Sequence, residues 1–213
     1  MQNKVLAKSF LWMVVGLLIT FATGYFVSTN ETMVYNVLGT GLYWIFAVIE
    51  IILVIVLSAR IQKMKASTAK CLFILYSVVS GLTFSSIFLV YKLFSIFYVF
   101  IISAIIFLIF GLIGYFTKLD LSKISTYLFM MLIGVVICSI VNAFVQSESF
   151  SLGLTIVSLI VFIGYIAYDV QKAKRLSETV DAEALPIIIA LDLYIDFINV
   201  FINLLRLLGE NKD

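Results

Sequence analysis

Seven runs of roughly twenty apolar residues, parted by short polar stretches, leave this chain almost no choice of solvent. The runs cover about 10–27, 37–59, 69–91, 95–116, 124–145, 152–170 and 186–208. Each comes close to the length a helix needs to cross about 30 Å of hydrocarbon at about 1.5 Å per residue. Of the 213 residues 63% are hydrophobic and only 12% charged, whereas a soluble domain runs nearer about half and a quarter. No water-soluble fold could hide so much apolar surface. Strands are excluded even where β-branching is dense, as in 101–109, because sheet edges in lipid leave backbone groups unpaired and barrel-type alternation is absent. The expected fold is an all-α integral membrane protein, a single seven-transmembrane-helix bundle over 1–213. The first run follows Lys4 and Lys8 like a signal peptide. It is too long for that and ends without a clear small-residue cleavage site, so it counts as a span.

The basic residues set an expected orientation. Lys4 and Lys8 precede the first span, Arg60, Lys63, Lys65 and Lys70 follow the second, Lys118 and Lys123 follow the fourth, and Lys172, Lys174 and Arg175 follow the sixth. Lys92, Arg206 and Lys212 fall on the other side. Such asymmetry places the N-terminus in the cytosol of a cell with a multi-pass plasma-membrane protein, and an odd span count puts the C-terminus outside. Pro186, the only proline, is expected in the first turn of the last helix, where its missing amide costs no hydrogen bond.

Cys71 and Cys138 both lie in apolar runs and read as small buried hydrophobes rather than a disulfide pair. Histidine is absent, so any pH response must come from carboxylates. Four acids lie within the spans: Glu50, Asp169, Asp192 and Asp196. A charge at the bilayer centre costs at least about 2.5–3.5 kcal/mol, so these groups must face the interior, pair, bind a cation or carry a proton.

The last span says most. Asp192, Asp196, Asn199 and Asn203 recur at helical spacing on one face, with Arg206 beyond them, and the other faces are apolar. A helix of that kind belongs at the centre of a bundle or along a watery path. The bland alternative is an inter-helix hydrogen-bond seam, which the asparagines alone could provide. By helical rise Asp196 and Glu50 each lie about 15 Å from the cytosolic end of their helices, near the midplane. Asp169 is shallower and close to the reach of Arg60. Depth alone matches Asp169 to Asp192 better than to Asp196. Two carboxylates in a dry site share one proton and titrate as a unit. The deprotonated pair offers hard oxygen ligands suited to Ca²⁺.

Several motifs point to a family. The run from Leu191 through Asp192, Asp196, Asn199, Asn203 and Arg206 to Gly209 resembles the Bax inhibitor-1 (transmembrane BAX inhibitor motif) family, in its bacterial YetJ-type branch. Supporting matches are Ser80-Gly81-Leu82-Thr83, the stretch from Gly111 to Ser122 that includes Thr117, Lys118, Leu119 and Asp120, and Tyr168-Asp169. The resemblance covers essentially the whole chain. It implies seven helices with the seventh in the middle and a pH-sensitive calcium leak. It carries the di-aspartyl sensor and transient Ca²⁺ site onto Asp169 and Asp196, an arginine latch onto Arg60, and an intramembrane glutamate onto Glu50.

The leading expectation is therefore a pH-gated, Ca²⁺-permeable channel, with Glu50, Asp192, Asn199 and Asn203 lining the path. A proton-coupled cation exchanger and a regulatory membrane protein without obligate transport are the alternatives. Aspartates on adjacent helices also serve intramembrane proteases. Here, however, Leu193, Tyr194 and Ile195 precede Asp196 in place of Gly-x-Gly, and no Pro-Ala-Leu segment follows. No enzyme activity, cofactor or nucleic-acid partner is expected. The expected partners are the lipid bilayer, Ca²⁺ and H⁺, and a monomer is expected.

Overall fold

A computed structural model describes residues 2–59 and 64–212. Its helices are α1 (Gln2–Ser28), the single turn α2 (Glu31–Val34), α3 (Leu42–Ala59), α4 (Ala66–Val90), α5 (Leu93–Phe116), α6 (Ser122–Val145), α7 (Glu148–Thr179) and α8 (Leu185–Leu208). All but α2 are long and apolar enough to cross a membrane. The protein is an all-α, multi-pass membrane protein, and among the described residues no strand forms. Among the described residues the one β-type contact is an isolated antiparallel bridge from Tyr91 to Asn211.

Helix boundaries differ in places from those read off hydropathy, α1 beginning at Gln2 rather than near 10. The second span begins at Leu42 rather than 37, because Tyr35–Gly39 forms a π-helical turn and Gly41 takes φ +79°. Only glycine adopts that left-handed conformation without steric cost, so it is a natural break before α3. The sixth span does not stop near 170. α7 is 32 residues long, about 48 Å at helical rise, and runs to Thr179 well past the apolar stretch. Pro186 sits in the first turn of α8 as expected, and the amides of Ile187 and Ile188 both bond back to the Ala184 carbonyl.

The contacts resolve into two compact units. One comprises residues 1–93, 176–194 and 211–213, and the other 94–175 and 195–210. In the first, α4 packs along α1 and against α3. Gly81 makes the α1–α4 approach possible, since an added Cβ would lie 2.8 Å from the Thr20 carbonyl oxygen and 2.5 Å from Thr23 Cβ. Close small-residue contacts of this kind replace the hydrophobic drive that lipid cannot supply. Phe73 is wholly buried there and packs edge-on to Trp12 and Tyr194. The chain's end folds back on α4: the Lys212 amide bonds Val90 O at 2.8 Å and its ammonium bonds Phe88 O at 2.8 Å, satisfying terminal carbonyls.

In the second unit Gly114 plays the part of Gly81, because a side chain there would run into the Ala167 carbonyl of α7. Phe100 and Phe107 stack on Phe197, and Phe100 also meets Phe201, at centroid distances of 5.2–6.1 Å. α6 is the least enclosed span, with 6% of its most apolar stretch buried, against 72% for α8, and its buried Leu128 packs on Gly164 of α7. The C-terminal helix is thus the most enclosed of the seven spans. Large exposed aromatics mark the helix ends: Trp44 near the start of α3, Phe94 and Phe116 at the two ends of α5, and Tyr127 and Phe144 towards the two ends of α6. That is the arrangement expected at headgroup level.

Candidate functional site

Asp169 and Asp196 both belong to the second unit and both are buried, with 9% and 3% exposure. Asp169 follows the apolar part of α7, and Asp196 sits midway along α8. Tyr165, one turn before Asp169, is near enough to feel the charge of both carboxylates. Each acid is thus within electrostatic reach of the same phenol. Asp169 also has a cation at hand. Lys172 Nζ lies 3.4 Å from Asp169 Oδ1, one turn further along α7, and stands 6.0 Å from the centre of the Tyr168 ring. Within the sequence this lysine read as part of a cytosolic cluster. The i,i+3 spacing that lets it reach back was the available signal.

The remaining polar residues of α8 separate by role. Asn203 is buried, and its amide donates to Ser158 Oγ of α7 at 3.1 Å and to the Asn199 carbonyl at 2.7 Å. Asn199, half-buried, donates to the Ile195 carbonyl at 2.8 Å. Asn203 thus ties α8 to α7 two turns beyond Asp196, while Asn199 bonds back within its own helix. Asp192 is half-buried and belongs to the first unit, whereas Asp169 and Asp196 share the second. Arg60, the latch implied by resemblance, and Lys63 beside it lie outside the described residues.

Glu50 occupies a different polar cluster, in the first unit. Thr83 Oγ1 donates to its Oε1 at 2.8 Å, and the Ser80 hydroxyl is close enough to act on the same carboxyl. The Ser80-Gly81-Leu82-Thr83 motif is thereby explained. Residues three apart share a helix face, so both hydroxyls reach α3 while Gly81 admits α1. Deeper in, Tyr194 Oη is 2.7 Å from Thr20 Oγ1, which itself donates to the Ser77 carbonyl at 2.9 Å. A threonine hydroxyl has one hydrogen, so Tyr194 is the donor in that pair. Tyr76 meets Tyr194 edge-on at 5.5 Å. Tyr76, Tyr194 and Thr20 carried no signal in the sequence, where hydroxyls within apolar helices look like filler.

Among the described residues no three His, Cys, Asp or Glu side chains group as a resident metal site.

Comparison with known proteins agrees over the whole length. A family model described as "Inhibitor of apoptosis-promoting Bax1" matches residues 2–213. Similar proteins include the "Inner membrane protein YbhL" of Escherichia coli, 42% identical over 97% of this chain and 92% of that protein. A protein of Borreliella burgdorferi is 36% identical over 100% of this chain and 94% of its own length. A membrane protein of Streptococcus pyogenes is 38% identical over 80% of this chain and 75% of its own.

Proposed function

The chain belongs to the Bax inhibitor-1 family, and from that premise we propose that it is a pH-sensitive, Ca²⁺-permeable channel or leak of the cytoplasmic membrane, gated at Asp169 and Asp196. The observation that carries this reading is the burial of both carboxylates, each within electrostatic reach of Tyr165. Two acids in such surroundings hold a shared proton or accept a divalent cation, and each occupant excludes the other. Protonation then decides whether the cation is admitted. Lys172 supplies a competing positive charge to Asp169 from its own helix. No covalent chemistry is required of any residue, and the protein acts as a conduit, with its N-terminus in the cytosol.

The test is Ca²⁺ entry into proteoliposomes at stepped pH. Wild type is expected to pass Ca²⁺ with a marked pH dependence, Asp169→Asn and Asp196→Asn to flatten it, and Arg60→Ala to favour the open form. If the double Asn variant keeps wild-type flux and pH dependence, the gate is elsewhere. A pH dye inside the vesicles separates channel from exchanger, since an obligate exchanger moves protons against Ca²⁺ and a leak does not.

A further inference from the structure

The segment that joins α5 to α6 grips the helix that carries Asp169, and one glutamine makes most of the grip. Gln171 Nε2 donates to the Leu119 carbonyl at 2.7 Å, and its Oε1 accepts the Leu121 amide at 2.9 Å. A carboxamide can serve a carbonyl and an amide at once. Glutamate lacks the donor and lysine the acceptor. The same Oε1 takes a second bond from Arg175 Nη2 at 2.8 Å. Arg175 Nη1 pairs with Asp120 Oδ1 at 2.9 Å, and that oxygen also accepts the Ser122 amide at 3.1 Å. Lys174 donates to the Tyr115 carbonyl at 3.2 Å and stands 4.6 Å from the centre of its ring. At the other end of the segment Gly114 lies against the Ala167 carbonyl. Residues 167–175 of α7 are thus fastened at four points to α5 and the 117–121 turn.

Asp169 lies inside that fastened segment. Residues two apart on a helix point about 200° away from each other, so Gln171 holds the face opposite the carboxylate. Fixing one face fixes the bearing of the other. We propose that Gln171 is a positioning residue for the gate. It sets the rotation and depth of Asp169, which makes Asp169 the stationary member of the pair and leaves the parting to Asp196. This rests on the channel reading above. Lys172 pairs with Asp169 from its own helix, Tyr165 feels both Asp169 and Asp196 of α8, and Asp120, Lys174 and Arg175 stand at the grip. Gln171 acts through the helix backbone.

The experiment compares wild type, Gln171→Met and Gln171→Glu in proteoliposomes and in hydrogen–deuterium exchange. The methionine variant is expected to lose protection at the Leu121 amide. It is also expected to shift the pH of half-maximal Ca²⁺ flux by about half a unit or more, the scale on which one neighbouring interaction moves a titration. Gln171→Glu keeps the acceptor for Leu121 and Arg175 and is expected to recover part of the shift. Lost protection with an unmoved pH profile overturns the proposal, because Gln171 then merely holds a turn. If wild type passes no Ca²⁺, the channel reading fails and the positioning claim is decided separately. Thiol labelling of Asp169→Cys, with Cys71 and Cys138 replaced by serine, then reports the bearing directly. A changed labelling rate on adding Gln171→Met upholds the proposal, and an unchanged rate overturns it.

Discussion

Lys172 Nζ stands 3.4 Å from Asp169 Oδ1, so a buried carboxylate in α7 is met by a cation from its own helix. The lysine is partly open to solvent, with 37% of its side chain exposed, while the aspartate is closed off. The pair is therefore accessible to change from one side only. Lys172→Met removes the charge and keeps the stem. Without that cation the protonated carboxyl is favoured, and the pH response of Ca²⁺ flux is expected to move to higher pH by about half to one unit. Flux measured across proteoliposomes at stepped pH checks this. An unmoved midpoint means the lysine is only a surface partner.

Asp120 gives a contrasting pH prediction. The Ser122 amide bonded to its carboxylate, and beyond that Arg175, hold its pKa below the usual carboxylate value. A carboxyl held low in the folded protein stabilises it above its unfolded pKa, about 4, and that contribution vanishes as pH falls through the lower folded value. The turn is thus fastened throughout the near-neutral range. Asp120→Asn is expected to leave the shape of the flux profile between about pH 5 and pH 8 unchanged. A profile that flattens in this variant would place pH sensing in the turn.

Gly114 and Gly134 predict opposite outcomes for the same substitution. Gly114→Ala drives a methyl into the Ala167 carbonyl, which is backbone and cannot swing aside. A loss of about 1–3 kcal/mol is expected in denaturant or thermal unfolding. Gly134 has nothing within 4 Å of a built Cβ. Gly134→Ala is expected to be neutral or stabilising by up to about 1 kcal/mol, through helix propensity alone.

Tyr194 and Thr20 form the buried link between α8 and α1. Tyr194→Phe removes a donor and leaves Thr20 still bonded to the Ser77 carbonyl. A loss of about 0.6–1.5 kcal/mol is expected, in the range of polar contacts between membrane helices. Thr20→Val is expected to cost more, because it deprives both the Tyr194 hydroxyl and the Ser77 carbonyl of a buried partner. Unfolding midpoints of the two variants measured side by side decide the order.

Much of this fold was written in hydropathy. Lipid demands the same thing of every span, so length and apolarity alone placed seven helices, and Pro186 marked the start of the last. Polar residues obey less general rules, and there the sequence was thinner. The π turn at 35–39 and the extension of α7 to Thr179 depend on local backbone geometry and on a turn fifty residues away. Hydroxyls were the least legible. Ser9, Ser77, Ser103 and Thr155 each bond a carbonyl one turn back in their own helix. That bland use hides the few, such as Thr20 and Thr83, that cross to another helix. Asp169 and Asp196 stood out because charge in lipid is conspicuous. Gln171 did not, since a glutamine just beyond a span looks like a solvated end until its two backbone partners are seen.

The low enclosure of α6 has a consequence of its own. A helix that meets chiefly lipid tails has no jigsaw to satisfy, so leucine, isoleucine, valine, phenylalanine and methionine are interchangeable along most of it. A saturation scan of 122–145 should be flat for apolar swaps away from Leu128, which packs on Gly164, and steep for any charge placed midway, about 2.5–3.5 kcal/mol each. The same freedom makes this helix the natural seat for a photo-cross-linker, which would catch whatever the bilayer holds beside the protein.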